Sequence, residues 1–535
     1  MDRFARLLSD LIYTRSRNTK LAHLAAYLST APDPDRGWAL AALTGGLSFP
    51  AVGSGIVREL IRERVDPVLF ALSRDFVGDT AETVSLLWPE PPASPAPAPG
   101  VSEAVSTLMQ ATRSNAKSVL ARLLDRLDEE GRFAVLKLAT GALRTGVSAR
   151  LAKSAFAQAF SVPLEDVEEI WHALKPPYTD LFGWATGAAP KPDITFLPVF
   201  RPFMLANPLE TPDIDLADYA AEWKWDGIRI QLVHTCGETR LFSRGGEDIT
   251  ASFPEIAGAF AHDSVLDGEL LVRGAHQGGE TGGAASFNAL QQRLGRKSVS
   301  ASLQADYPAF VRLYDVLFET GEDLRTLSWT DRRARLEELV PRLDSAVFDI
   351  SELIAASSFE ALADQRSRAR EASIEGVMLK RRDSRYEPGR KSGLWYKWKR
   401  DPLTADCVLM YAQRGSGKRS GFYSDFTFGC WTGDPGKDGI LLPVGKAYSG
   451  FSDEDLVWLD RFVRRHTRNR FGPVREVEKT LVLEVSFDAI NPSTRHKSGL
   501  AMRFPRITRI RRDKPSAEAD HIGALRRLID AGAKA

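Results

Sequence analysis

The sequence predicts a multidomain chain in three parts: an all-α N-terminal region, an α+β middle domain and a small C-terminal β-barrel. Three observations predict it. Apolar residues recur at spacings of three and four as far as about residue 200. From about residue 218 the period changes to two, and short strands alternate with two helical segments up to Arg400. Beyond Arg400, four strands and one helix in about 115 residues, with room for a fifth strand, suggest a small Greek-key barrel. At 535 residues the chain is also too long for one ordinary core.

The first part opens with "MDRFARLLSDLIYTRSRNTKLAHLAAYL", where charge and apolar residues alternate as on an amphipathic helix. It has neither the h-region nor the small-residue cleavage site of a signal peptide, so the expected location is cytoplasmic. "AVSTLMQAT", "AKSVLARLLDRL" and "RFAVLKLATGAL" continue the helical period, with Ser29, Ser48 and Asp79 as candidate helix-flanking residues. "PEPPASPAPAPG", 89–100, is a stiff proline-alanine linker that either divides the region into two lobes or marks a long surface connection. "KPDITFLPVFRPFMLANP", 191–208, is punctuated by proline and sets a boundary, giving a helical part of 1–200.

The second part, 201–400, holds "EWKWDGIRIQLVH", "TRLFSRGGEDIT", "SVLDGELLVRG", "AFVRLYDVLFETGEDL" and "IEGVMLKRRD" as strands bounded by Asp-Gly or Gly turns. Helices are expected at "FNALQQRLG" and "TDRRARLEELVPRL". The aromatics Phe287 and Phe318 read as core. The third part, 401–535, carries strands at "ADCVLMYAQ", "FTFGCWTG", "LLPVGKAY" and "TLVLEVSFDAI", and a helix at "SDEDLVWLDRFVRRH".

With 43% hydrophobic and 26% charged residues, the composition is that of a soluble globular protein. No apolar run approaches the ~18 residues of a membrane span. Cys236, Cys407 and Cys430 are far apart, and the eight histidines have no ligand spacing, which argues against a disulfide framework and a zinc site. Any metal is expected to be a hard cation on carboxylates and phosphate oxygens. The net charge of +1 says nothing about nucleic acid, but its distribution does. Residues 380–400 carry nine Lys/Arg against two acids, and 495–514 carry eight against one, as a phosphate-binding surface would. Ordinary solvated faces are the alternative for either patch.

Lys224 stands in an alternating segment that places Glu222 and Lys224 on one face and Trp223 and Trp225 on the other. Asp226-Gly227 turns the chain into the next strand. A lysine amine, with an ordinary pKa of about 10.4, becomes a nucleophile when burial or a neighbouring cation such as Arg229 lowers that value. A structural Glu–Lys pair on an exposed face is the alternative. The rest of the domain favours reaction. "SRGG" offers Arg244 for a phosphate or ribose, "LDGEL" sets Glu269 on a strand, and "YDVL" puts Tyr314 beside an acid. "EGVMLK" gives Glu375 and a lysine, and "LWYKWKR" puts Lys397 and Lys399 on one strand face. One nucleophile, two separated carboxylates for Mg²⁺, several cations and an aromatic are the parts that chemistry at a nucleotide phosphate needs.

In this order, K-x-D-G-x-R, S-R-x-G, D-G-E, Y-D, E-G-x-x-x-K and K-x-K resemble the covalent nucleotidyltransferases, a superfamily of ATP-dependent DNA ligases, RNA ligases and mRNA capping enzymes. "RFPRITRIRRDK", 503–514, resembles the last motif of the DNA ligase branch, and "TGALRTGVS", 140–148, a segment of the DNA-binding domain that larger ATP-dependent DNA ligases carry. The resemblance spans roughly 105–514. It implies an α-helical DNA-binding domain, an adenylyltransferase domain with an ATP-grasp-like ligase core, and an OB-fold.

The resemblance further implies that Lys224 becomes joined to AMP and that Glu222 reads the adenine amino group. It places Arg229 and Arg244 at the sugar and phosphate, Glu269 and Glu375 in the metal and ribose environment, and Tyr314 against adenine. Lys397 and Lys399 match the pair at the α-phosphate. Either Arg390 or Lys391 fills the basic position before it, with Lys391 favoured by its spacing to Trp395. Arg503, Arg506 and Lys514 are expected to serve the first step when the barrel closes about a hinge near Asp401-Pro402. Gly141 and Gly146 are expected to let helix N-termini approach DNA phosphates, with Arg144 adding charge; a helix-capping glycine before a new helix is the alternative.

The activity implied is the sealing of 5′-phosphate/3′-hydroxyl nicks in double-stranded DNA, with ATP and Mg²⁺, by a nucleoid-associated monomer. Repair beside a nuclease and a helicase is the expected setting. An RNA-joining or capping enzyme is the nearest alternative, and a catalytically silent DNA-binding protein another. A nicotinamide-dependent ligase is disfavoured by the missing cysteine zinc site, and a P-loop hydrolase by the absence of G-x-x-x-x-G-K-S/T.

Overall fold

The computed structural model describes residues 1–535 except 15, 91–95, 142, 275–283, 285–286, 297, 369–373, 416–420, 495 and 534–535. Among the described residues, twelve α-helices run from Asp2–Tyr13 to Thr179–Ala185. Their ends follow local chemistry. Asp79 accepts a bond from Glu82 N at 3.1 Å and Asp128 one from Gly131 N at 2.8 Å, each starting a helix. Ser29 instead lies inside the helix Arg17–Thr30, where its hydroxyl bonds back to Ala26 O at 3.0 Å. Ser48 flanks no helix directly, since the next begins at Ser54.

One hydrophobic core unites this region. Phe4, Leu8, Leu40 and Leu60 precede the proline-rich stretch and Leu108, Leu120, Val135 and Phe156 follow it, yet all belong to the same cluster. The Asp35 carboxylate accepts from Val101 N and Ser102 N at 3.1 and 2.8 Å, and the N-terminal amine donates to Pro99 O at 2.9 Å. Residues 89–100 are therefore a connection within one helical body, not a divider of two lobes; 91–95 lie outside the described residues.

The middle region is built on two sheets that share a core. Strands are numbered here as β1 (Tyr219–Trp225), β2 (Ile228–Thr235), β3 (Glu238–Ser243), β4 (Ser264–Val272), β5 (Ala309–Glu319), β6 (Ile374–Arg381) and β7 (Trp395–Lys399). β1, β6 and β7 form the centre of a five-stranded sheet in the order β1-β6-β7. β3-β2-β4-β5 form a six-stranded sheet with two short strands. Ala220, Trp395, Val233, Val265 and Leu317 meet between the sheets. Ile230, Leu232, Leu266 and Leu270 point outward beneath the helix Trp329–Leu339. On the far side of the other sheet, Ala221, Val377 and Leu379 pack on Leu362 of the helix Phe359–Arg368. The alternation of each strand thus separates an outer apolar face from an inner mixed one.

Three sequence expectations change here. Asp226-Gly227 does not close a hairpin, because β1 and β2 belong to different sheets and this dipeptide carries the chain across the cleft. Asp267-Gly268 is no turn either; it lies inside the nine-residue β4. Trp225 leaves the face it was expected to share with Trp223, because the pairing of β1 with β6 shifts between Ile374 and Gly376. Its ring stacks under Arg312 at 4.1 Å.

At the C-terminal end, β8 (Leu403–Arg414) pairs with β9 (Tyr423–Trp431) at one end and with Val482–Phe487 at the other. Leu441–Ala447 continues from β9, and Arg506–Arg511 pairs with Val482–Phe487. Ile507 N donates to Ser449 O at 3.0 Å, bringing the two ends of this curved sheet together. The expected helix is Asp453–Arg465, opened by a capping box of Ser452 and Asp455. The hairpin of Thr467–Phe471 with Val474–Val477, and the helix Ile522–Ala533, were not expected. None of the helices is long and apolar enough to cross a membrane, among the described residues.

Candidate active site

Between the two sheets lies a cavity of about 450 Å³, within the ~300–1,000 Å³ range of small-molecule sites. Ten residues singled out from sequence line it: Glu222, Lys224, Arg229, Arg244, Glu269, Tyr314, Glu375, Lys397, Lys399 and Arg503. They come from seven separate stretches of chain, so only the fold assembles them.

Two β-bulges aim side chains into the cavity. In β5, Leu313 pairs with Gly268 and Asp315 with Asp267, which leaves Tyr314 as the extra residue. In β6, Ile374 pairs with Trp225 and Gly376 with Lys224, which leaves Glu375 extra. An extra residue breaks the two-residue period and lets a side chain point where alternation would not put it.

Lys224 Nζ meets Glu375 Oε2 at 2.5 Å, and Lys399 Nζ reaches the same oxygen at 3.4 Å. Burial alone would raise the Glu375 carboxyl, but Lys224, Lys399 and Arg503 together hold it down to about 2. Glu269 behaves oppositely. Burial pushes its carboxyl up to about 7 against Lys224 and Arg229, helped by the like charges of Glu375 and Asp226. The Glu269 carboxylate makes no hydrogen bond or ion pair among the described residues.

Arg229 is fixed by Met204 O at 2.7 Å and Asp267 Oδ2 at 2.8 Å, and its guanidinium stacks 4.0 Å from the Phe203 ring centre. Its Nε is buried without a partner, as is Nε1 of Trp395, and both residues line the cavity. Buried donors of this kind call for a ligand acceptor. Arg503 pairs with Asp226, and Lys399 Nζ lies 3.5 Å from Asp488 Oδ2, so the C-terminal sheet is seated against the mouth of the cavity.

Three residues expected at the cavity, Lys391, Arg506 and Lys514, do not line it. Lys391 lies 3.9 Å from Glu387, whereas Arg390 presents its charge to Lys397, so the geometry gives no support for preferring Lys391. Arg506 pairs with Asp488 at 3.0 Å. Lys514 is held by Asp406 at 2.7 Å on the C-terminal sheet itself. Gly141 is the left-handed cap that ends the helix Glu129–Thr140, so it sits at a helix C-terminus and not at an N-terminus. Arg144 and Gly146 follow in the loop with φ of 42° and 66°, and Ser148 caps the next helix. Phe318 is packed in the inter-sheet core, as expected; the Phe287 side chain lies outside the described residues.

Sequence reasoning gave no site role to Asp226, Asp267, Tyr386, Lys380 or Asp488, although Asp226 and Lys380 stand in motifs it quoted. Asp226 was legible as the acid of K-x-D-G. Asp267, the buried anchor of Arg229, looked like half of a turn. Nothing local marks Tyr386, whose hydroxyl donates to Asp267.

Gly227 marks how tightly the crossing is built. A Cβ there would sit 2.6 Å from Leu270 O and 2.7 Å from Glu269 Cγ. Gly227→Ala is expected to cost about 1–3 kcal/mol, measured by urea unfolding, and to displace Glu269. The Glu269 carboxyl gives a second expectation. The folded state keeps a proton that the unfolded state releases at its ordinary value of about 4.5. Stability from this group is complete below about 4.5 and is lost as pH rises through about 7. The thermal midpoint of the nucleotide-free protein should fall across that window, and Glu269→Gln should remove the fall.

A lysine beside a paired carboxylate, in a cavity lined by cations at its mouth and aromatics within, is the site of an enzyme that handles a nucleotide's phosphates. The comparisons agree. Residues 203–399 match the family model of the ATP dependent DNA ligase domain, and 419–514 that of the ATP dependent DNA ligase C terminal region. A probable DNA ligase of Koribacter versatilis is 35% identical over 415 residues, covering 72% of this chain and 70% of its own. A DNA ligase of Thermococcus onnurineus is 31% identical over 423 residues, covering 76% and 72%. The solved structure called "Pmar-Lig_PreS3" shares the fold with a TM-score of 0.60 at 17% identity, covering 95% of this chain and 99% of that one. The chain belongs to the ATP-dependent DNA ligases. It is an enzyme of a family that uses ATP and acts on nicked DNA.

Proposed function

We propose that the chain seals 5′-phosphate/3′-hydroxyl nicks through a lysyl-AMP intermediate on Lys224. The observation that carries this is the position of Lys224: it lies between the buried aromatic end of the cavity and the cationic mouth, where a bound nucleotide's α-phosphate would sit. The Nζ lone pair forms a bond to the α-phosphorus as the α–β bridging P–O bond breaks, and pyrophosphate leaves with that electron pair. AMP then passes to the 5′-phosphate of a nick with release of the lysine, and the 3′-hydroxyl displaces AMP to form the phosphodiester. Lys397, Lys399, Arg244 and Arg503 neutralise phosphate oxygens in these steps, and Arg229 and Glu222 hold the nucleoside. Arg390, not Lys391, is the basic residue we place beside Lys397.

Mg²⁺ fits this site as a shared ligand of protein and phosphate. No group of three or more His, Cys, Asp or Glu is arranged to hold a metal among the described residues. Glu269 has an uncommitted carboxylate in the cavity, whereas Glu375 is engaged by Lys224 and Lys399. One or two carboxylates plus substrate phosphates is the usual Mg²⁺ site. Glu269 would hold the ion, with Glu375 beside it, and the ion would supply charge neutralisation at the leaving pyrophosphate.

The wider reading takes residues 1–200 as the DNA-binding domain, 201–400 as the adenylyltransferase domain and 401–535 as an OB-fold. The shared helical core, the two facing sheets and the curved C-terminal sheet support that division. Arg144 and Gly146 remain the proposed backbone contacts. A cytoplasmic monomer acting in repair, with a nuclease and a helicase, completes the reading.

The test is incubation with α-labelled ATP or GTP and Mg²⁺, then denaturing electrophoresis and peptide mapping. Label from ATP on the Lys224 peptide, discharged by nicked DNA, is the expected result. Label from GTP would point to a capping-type enzyme, and no label from either would refute the proposal.

A further inference from the structure

Arg244 reaches the cavity from a tight turn, and the turn rests on a residue of the helical region. Gly246 N donates to Ser243 O at 2.9 Å and Ser243 N to Glu247 O at 2.8 Å. The Ser243 hydroxyl accepts from Gly245 N and Glu247 N, each at 3.3 Å. These bonds fix the shape of the turn. They do not fix where the turn lies relative to the cavity, because all of them stay within five residues of chain.

His172 supplies the outside support. It is half-buried and sits in the single turn Trp171–Ala173 that follows the helix Leu164–Ile170. Its ring is pressed flat on Gly246, whose φ is 80°. A Cβ on Gly246 would meet the ring at Cε1 and lie 2.8 Å from Nδ1, so only a glycine lets the two surfaces close. Burial, with the nearby Lys153 charge, holds the His172 imidazole down to about 3, so at neutral pH the ring is uncharged and packs as an aromatic.

The same ring also stands on the inter-sheet core. It meets Phe200 edge-on with centres 4.8 Å apart. Phe200 in turn contacts Phe242, two residues before Arg244, at 6.1 Å, and Phe203, the ring under Arg229, at 4.9 Å. Three residues before His172, Glu169 ties this part of the helical region down, 2.9 Å from Arg325 and 3.6 Å from Arg201. The imidazole is therefore clamped between an anchored helix end, an aromatic core and the turn that carries Arg244.

We propose that His172 is a positioning residue for AMP transfer: from the helical region it buttresses the Ser243–Glu247 turn and so holds the Arg244 guanidinium at the cationic mouth of the cavity. Docking of the helical region thereby becomes part of the geometry of the first chemical step. This inference rests on the cavity being the site of that step.

The test measures self-adenylylation with α-labelled ATP and Mg²⁺ in the full chain, for His172→Ala, Arg244→Ala and the two combined. His172→Ala should lower the maximal rate about 10- to 100-fold, the effect of a small displacement of a charge from a reacting phosphate, and change the half-saturating ATP concentration much less. In the Arg244→Ala background the same substitution should cost about twofold or less, because the cation it acts through is already gone. A merely structural histidine would lower the rate by the same factor in both backgrounds, and that result, or no loss in either, would overturn the proposal. If His172→Ala does not fold, His172→Leu, which keeps the volume but not the flat face, enters the same cycle and the same outcomes decide. Equal losses with a wild type that labels from ATP remove only the role of His172, whereas a wild type that never labels removes the site as well.

Discussion

Lys224→Ala is expected to abolish transfer of AMP from ATP to the protein, by on the order of a thousandfold or more, while nicked duplex DNA is still bound. The side chain lines the cavity and, among the described residues, its ion pair is with Glu375, so truncation removes the nucleophile without opening the core. The variant should also seal nicks whose 5′-phosphate is already adenylylated, because the later chemistry needs no free lysine. Gel-shift and single-turnover sealing assays separate these outcomes. Retained labelling would place the nucleophile elsewhere. Loss of DNA binding together with labelling would mean that Lys224 holds the fold and not the reaction.

Arg503→Ala is expected to slow self-adenylylation about 10²–10³-fold, the effect of removing one well-placed charge at a phosphate, and to slow sealing of pre-adenylylated nicks much less. Its guanidinium reaches across from the C-terminal sheet to Asp226, two residues from Lys224, and lines the same cavity. Burial raises the Asp226 carboxyl and Arg503 opposes that. Lys514, which the sequence grouped with Arg503, should behave differently. It is tied to Asp406 together with Arg511, and Lys514→Ala should leave the first step within about tenfold of wild type in this closed arrangement. Comparing the two variants in labelling and sealing assays decides the matter; equal loss in both assays for Arg503→Ala would sink the closed-barrel account.

Much of the site was legible because its chemistry is written in short motifs. K-x-D-G, D-G-E and K-x-K each keep a reactive side chain at a fixed distance from a glycine or a second charge, and those distances survive in β1, β4 and β7. What misled was the use of one local signal for two purposes. Asp-Gly at 226–227 and 267–268 looks alike in sequence. The first carries the chain between sheets, with Gly227 pressed on Leu270, and the second lies flat in a strand where Asp267 anchors Arg229. Lys514 misled by spacing alone, since Asp406 holds it on the C-terminal sheet at 2.7 Å, and Lys391, 3.9 Å from Glu387, does not line the cavity.

By itself the sequence determined the periods of its helices and strands and the ligase family, and it singled out Lys224 as the proposed nucleophile, because these depend on residues near one another along the chain. Tertiary structure decided three things that local spacing does not encode. Two bulges turned Tyr314 and Glu375 inward, since one extra residue reverses the face of a strand and only the pairing partner reveals it. A single helical core joined the segments on either side of the proline-rich stretch. And Lys380, 158 residues from Glu222, became its partner only when β1 and β6 were laid side by side, bringing a charge and its counter-charge together in a buried position.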